Sequence, residues 1–307
     1  MTESVGKINR SRFYFEWKGH QIQDLTSFHA IATAKRPNEP IVYLAGDSSL
    51  DNKYWVHPDE NLQVDVPEIY KHVLDRPTPK HDVAFWMNYI LGDRATCLNT
   101  AVEESMLRQR DHELLAHDEF IRDHIRPQDV LIVSVGANDI ALKPLLCTVR
   151  HMLQLAWATS WSSLDKGNTS SIRYFGYIFG NKTQEYISQM VAKTKPRAVI
   201  VCMIYYPLKA GLGQQSWADT QLKVLGYNSW PGRLQTAIST LFRMATQTIK
   251  IEGTEVVPCA LYEVLDGKLA KHYTARVEPS EEGGKKMATK FVGLLDDIWA
   301  KTIPDGL

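Results

Sequence analysis

Pro40-Ile41-Val42-Tyr43-Leu44-Ala45, followed at once by Gly46-Asp47-Ser48-Ser49-Leu50, is the stretch that decides the fold. The apolar run is too short for a typical helix, partly β-branched, and lacks the alternation of a half-exposed strand, so it predicts a strand buried on both faces. Gly-Asp-Ser then predicts a loop turning toward a helix. Ser48 is therefore expected at the carboxyl end of a buried strand.

Working outward, Asp129 to Val135 is a second such run and ends at Gly136-Ala137-Asn138-Asp139. Ala198 to Ile204 is a third and ends at Tyr205-Tyr206-Pro207. Thr254 to Pro258 is a weaker fourth, because proline cannot donate to a ladder. Helical patterns are expected over 101–125, 184–193, 234–251 and 284–301. Strands alternating with helices predict a mostly parallel sheet of about five strands, covered on both faces as an α/β/α three-layer sandwich. Ligands of such sheets bind beyond the carboxyl ends of the strands, where the Ser48 and Asn138 loops both fall.

The chain reads as a single domain over 1–307, with 1–39 as an N-terminal extension. Residues 142–182, rich in aromatics such as Trp157, Trp161, Phe175 and Phe179, are expected to form a helical cap. Lysine and arginine together number 35, as do aspartate and glutamate, so no net field draws nucleic acid or an anionic membrane. A small-molecule substrate is the expected partner. The N-terminus lacks the apolar core of a signal peptide and no run is long enough to span a bilayer, so a cytoplasmic location is expected. Cys97, Cys147, Cys202 and Cys259 are widely spaced, without the pairs or neighbouring histidines of a zinc site. No metal or organic cofactor is implied.

A serine hydroxyl is a weak nucleophile at neutral pH and needs an exposed turn and a base. Gly46 to Leu50 behind a buried strand resembles the first signature block of the SGNH (GDSL-like) hydrolase family, and Val135-Gly136-Ala137-Asn138-Asp139 resembles its Gly-x-Asn-Asp block. The resemblance runs from Pro40 to the final helix. It implies a flavodoxin-like sandwich and acyl-ester chemistry through Ser48, by hydrolysis or transfer of a small ester or lactone. It also implies a serine at a helix N-terminus and an oxyanion hole. The hole would be formed by the Ser48 N–H, an N–H of the second block and the Asn138 side chain, each donor worth on the order of a hundredfold in rate. Asp47, Gly136 and Tyr205 are expected around the substrate. A cyclase, an isomerase or a silent binding module is the alternative reading.

Two blocks depart from the family pattern. Asn-x-Gly-x-x-Gly is replaced by Asn99-Thr100-Ala101-Val102-Glu103-Glu104, so position 104 keeps a backbone N–H but gains a carboxyl. Asp-x-x-His-Pro is replaced by Ala275-Arg276-Val277-Glu278-Pro279, which puts Glu278 where the base would stand. Glu278 is then one candidate base, if burial raises its pKa. His272, oriented by Asp266, is a second, and His57 is an outside candidate. Glu278 also suits a pairing with Arg276, and Lys53 suits a solvated helix face.

Overall fold

A computed structural model describes residues 6–57 and 63–301. Five strands form one parallel sheet: β1 (Ile41–Gly46), β2 (Thr96–Asn99), β3 (Val130–Ser134), β4 (Ala198–Met203) and β5 (Glu255–Ala260). Their order is β2-β1-β3-β4-β5, the doubly wound flavodoxin-like order. β1, β3 and β4 are buried at every position, which is why they read as unbroken apolar runs. β5 lies at an edge, where Pro258 is tolerated.

Helices Val83–Leu91 and Glu281–Ala300 pack on each other as one layer, while Ile22–Lys35, Ala116–His124 and Thr183–Met190 touch in succession as the other. One contiguous apolar core runs from Ile8 to Ile298. Residues 6–39 belong to that core through Phe13, Tyr14, Leu25 and Phe28, so the N-terminal segment is built in rather than appended. Residues 142–182 are largely helical, and Leu155, Phe175 and Phe179 pack on the core.

The helix expected over 101–125 is much shorter, covering Ala116–His124. Tertiary acceptors take the donors it would need. Asp51 Oδ2 accepts the Glu103 N–H at 2.9 Å, and the Asp139 carboxyl accepts those of Leu107 and Arg108 at 2.6 and 3.0 Å. A two-stranded ribbon, β6 (Tyr273–Thr274) with β7 (Glu278–Pro279), precedes the final helix and carries Glu278.

Candidate active site

In this strand order the connections diverge to opposite faces on either side of β1, which opens a crevice at the carboxyl ends of β1 and β3. β1 delivers Ser48 there and β3 delivers Asn138. Gly46 pairs with Ser134 across the ladder, so both loops leave the sheet at one level. Gly46 has φ +141°, and a Cβ would stand 1.9 Å from the Ser134 carbonyl oxygen, so only glycine lets the strands close here.

Asp47 secures the Ser48 loop. Its N–H donates to Ser134 O at 3.2 Å, and its Oδ1 accepts the Ser49 N–H and hydroxyl at 3.1 and 2.7 Å. Burial pushes this carboxyl up to about 6. Ser48 follows in a turn that leads to a short 3-10 helix, Asn52–Tyr54, instead of the α-helix N-terminus that the resemblance implied.

Glu278 is the group brought to the serine. It is 1% exposed, and burial raises its pKa to about 7 against the opposing pull of the Ser48 hydroxyl and the Trp217 indole. Trp217 Nε1 donates to Oε1 at 3.1 Å, whereas buried Oε2 has no aligned partner. The serine hydroxyl therefore lies close enough to favour the carboxylate without an aligned hydrogen bond. Arg276 does not pair with Glu278; its guanidinium binds Asp219 and Asn228. Ala275 and Arg276, at φ 50° and 64°, turn the chain through the left-handed region just ahead of β7. Tyr205 lines the cavity, and its hydroxyl donates to Val277 O at 2.6 Å, bracing that turn.

Asn138 lines the cavity beside Ser48 and spends one N–H on Ser105 O at 3.0 Å, leaving the other free. Gly136 was expected against substrate but faces Phe179: at φ +100° its missing Cβ makes room for a ring carbon that would otherwise stand 2.8 Å away. Glu104 keeps the glycine-like conformation of its block, φ 59°, and its carboxyl reaches Lys18 at 3.3 Å. His272 is buried on another groove with Lys271, Lys285 and Lys286, its Nε2 3.5 Å from Glu282. Asp266 bonds Lys268 instead. His57 is exposed, and neither histidine lines the Ser48 cavities among the described residues.

The motifs gave no warning of Glu103. It is 4% exposed, accepts the Trp55 Nε1–H at 3.2 Å, and has an unpartnered Oε2. Burial first, and then the charge of Glu278, hold its proton on well above the usual carboxylate range. Behind it, Lys53 is fully buried rather than solvated. Its Nζ lies 2.6 Å from Asp51 Oδ1, while Asp51 Oδ2 accepts the Gly19 N–H at 2.9 Å. The only signals for this group in the sequence were isolated charges with no periodicity to place them inside.

Two cavities meet at Ser48, Asn138 and Trp217. An apolar chamber of about 120 Å³ runs under the helical cap among Leu155, Phe175, Phe179, Ile238 and Leu241. A wider mouth of about 430 Å³ opens past Trp17, Tyr54, Trp55, Glu103 and Glu104. Among the described residues no cluster of three His, Cys, Asp or Glu side chains is arranged to hold a metal, and no helix is long and apolar enough to cross a membrane.

The sheet order is that of a doubly wound, flavodoxin-like α/β sandwich, with the Ser48 and Asn138 loops at one crevice. No family model and no curated protein matches the chain. Among solved structures it is similar to Est24, a carbohydrate acetylesterase from Sinorhizobium meliloti (14% identity, 85% of this chain and 100% of that one, TM-score 0.46). It is also similar to a family 3 carbohydrate esterase from Clostridium thermocellum (13%, 86% and 98%, 0.39). A third is a salicylyl-acyltransferase from a tetracycline biosynthetic pathway (10%, 85% and 55%, 0.40). At such identities and scores these neighbours assign the chain no activity.

Proposed function

We propose that the chain is a serine esterase or acyltransferase in which Glu278 replaces the imidazole as base. The observation that carries this reading is a buried carboxyl with a raised pKa lying against the hydroxyl of a strand-end serine. Ser48 Oγ attacks the acyl carbonyl as its proton passes to Glu278, and the carbonyl π pair moves onto oxygen, where the free N–H of Asn138 receives it. Collapse restores the carbonyl, breaks the bond to the alcohol and returns the proton from Glu278 to the leaving oxygen. Glu278 then deprotonates water or a second alcohol as its oxygen attacks the acyl carbon, the acyl–Oγ bond breaks, and the proton returns from Glu278 to Ser48 Oγ.

The acyl chain fits the apolar chamber, whose size is comparable to dry engineered cavities that bind benzene. Hydrolysis and transfer differ only in the second acceptor, and adding a primary alcohol separates them by product. The reading includes a small-molecule substrate and a reducing, cytoplasmic compartment, which suits four free cysteines.

A fluorophosphonate probe is expected to label the wild-type chain and to leave Ser48→Ala unlabelled. Glu278→Gln should lower the labelling rate by about a hundredfold or more, the usual worth of a general base. Unchanged labelling in Glu278→Gln removes Glu278 from the mechanism, and unchanged labelling in Ser48→Ala removes the serine.

A further inference from the structure

The mouth outside Ser48 contains groups that ester chemistry alone does not require. Trp17, the adjacent pair Tyr54 and Trp55, and Trp217 converge there from three segments of the chain. Trp17, Tyr54 and Trp217 are 41, 54 and 39% exposed, so burial in the core does not account for them. Tyr54 meets Trp55 edge-on at 5.2 Å between centroids and stands 6.4 Å from Trp17. The indole N–H groups of Trp55 and Trp217 are spent on Glu103 and Glu278, so neither ring has a donor left for a ligand in the mouth.

The two carboxyls of the mouth leave no free anion. Glu104 is offset by Lys18, whose ammonium also lies 4.7 Å from the Trp17 ring centroid, so this rim already holds one cation of its own chain. Glu103 is buried with its proton held on, and its Oε2 lacks any partner. Ring faces attract cations through their quadrupole, and a methylated ammonium, having no N–H to satisfy, suits a site rich in π faces and poor in aligned acceptors. A sugar would need free donors and acceptors beside the rings, and two of the indoles have already given theirs up.

We propose that the aromatic mouth binds a quaternary ammonium group, so that the substrate is an ester joining an apolar acyl group, held in the chamber, to a choline-like alcohol. The ester half rests on the reading of Ser48 given above, whereas the cation site stands on the mouth alone.

Calorimetric titration of the Ser48→Ala chain separates the two. Choline chloride is expected to bind saturably and at least about tenfold tighter than 3,3-dimethyl-1-butanol, its uncharged isostere. Trp17→Leu and Tyr54→Leu should each weaken choline by about threefold or more and the isostere far less. Equal affinity for the two probes, absence of saturation by choline, or tighter binding of glucose overturns the proposal, and the wild-type comparison needs no variant to fold. In the wild-type chain, kcat/KM for hexanoylcholine should exceed that for 3,3-dimethylbutyl hexanoate. Choline binding without turnover of either ester keeps the cation site and sinks the Ser48 reading; equal turnover of both keeps Ser48 and sinks the site.

Discussion

Glu103 and Glu278 are two buried carboxyls that titrate as a pair, because ionising one makes ionising the other harder. The base must be ionised to act, so activity is expected to rise with pH through the neutral range. Glu278 ionises first and Glu103 keeps its proton through that range, so Glu103→Gln should leave the acidic limb of the kcat/KM profile in place; a limb moved to lower pH would mean that Glu103 is charged there. Glu104 raises a different matter, since a non-glycine residue at φ 59° is strained by roughly 1 kcal/mol or more. Its ion pair with Lys18 is partly exposed and worth little. Glu104→Gly is thus expected to raise unfolding stability by up to about 1 kcal/mol, read from urea midpoints at constant slope.

Elements buried on both faces were legible because their physics is local to the segment: β1, β3 and β4 each announce themselves as apolar runs. β2 was not, being four residues, Thr-Cys-Leu-Asn, at a sheet edge. Residues 101–115 have helix-forming composition, yet distant carboxylates claim their N–H groups, and composition cannot report partners 52 and 32 residues away. Ser48 and Asn138 were legible by motif, Glu278 by the gap it fills, and Glu103 and Trp217 by nothing local. Beyond residues 142–182, a further helix walls the chamber and has the clearest functional consequence. Ala237, on helix Pro231–Met244, faces the chamber, so Ala237→Phe should fill it. Activity on octanoyl esters is then expected to fall by about tenfold or more while acetyl esters change little, with about 1–3 kcal/mol lost to overpacking. Parallel losses on both esters would show that the acyl chain lies elsewhere.

At the scale of the whole molecule, Ser48 comes from the loop after the first strand and Glu278 from the last ribbon, and Asn52 joins the two regions. Its Nδ2 donates to Pro279 O at 3.1 Å and its Oδ1 accepts the Val83 N–H at 3.0 Å. Parallel sheets close through long loops, which makes such contacts late and slow. After dilution from denaturant, helical signal at 222 nm should therefore return before fluorophosphonate labelling, and coincident recovery would mean that the ribbon docks early. Because Asn52 serves the ribbon and the Val83–Leu91 helix with opposite ends of one amide, the chain carries its own proofreading. If Glu278 is the base, as proposed, a copy whose ribbon has yet to dock holds Ser48 with no base beside it and is expected to stay inert toward esters until that ribbon is seated.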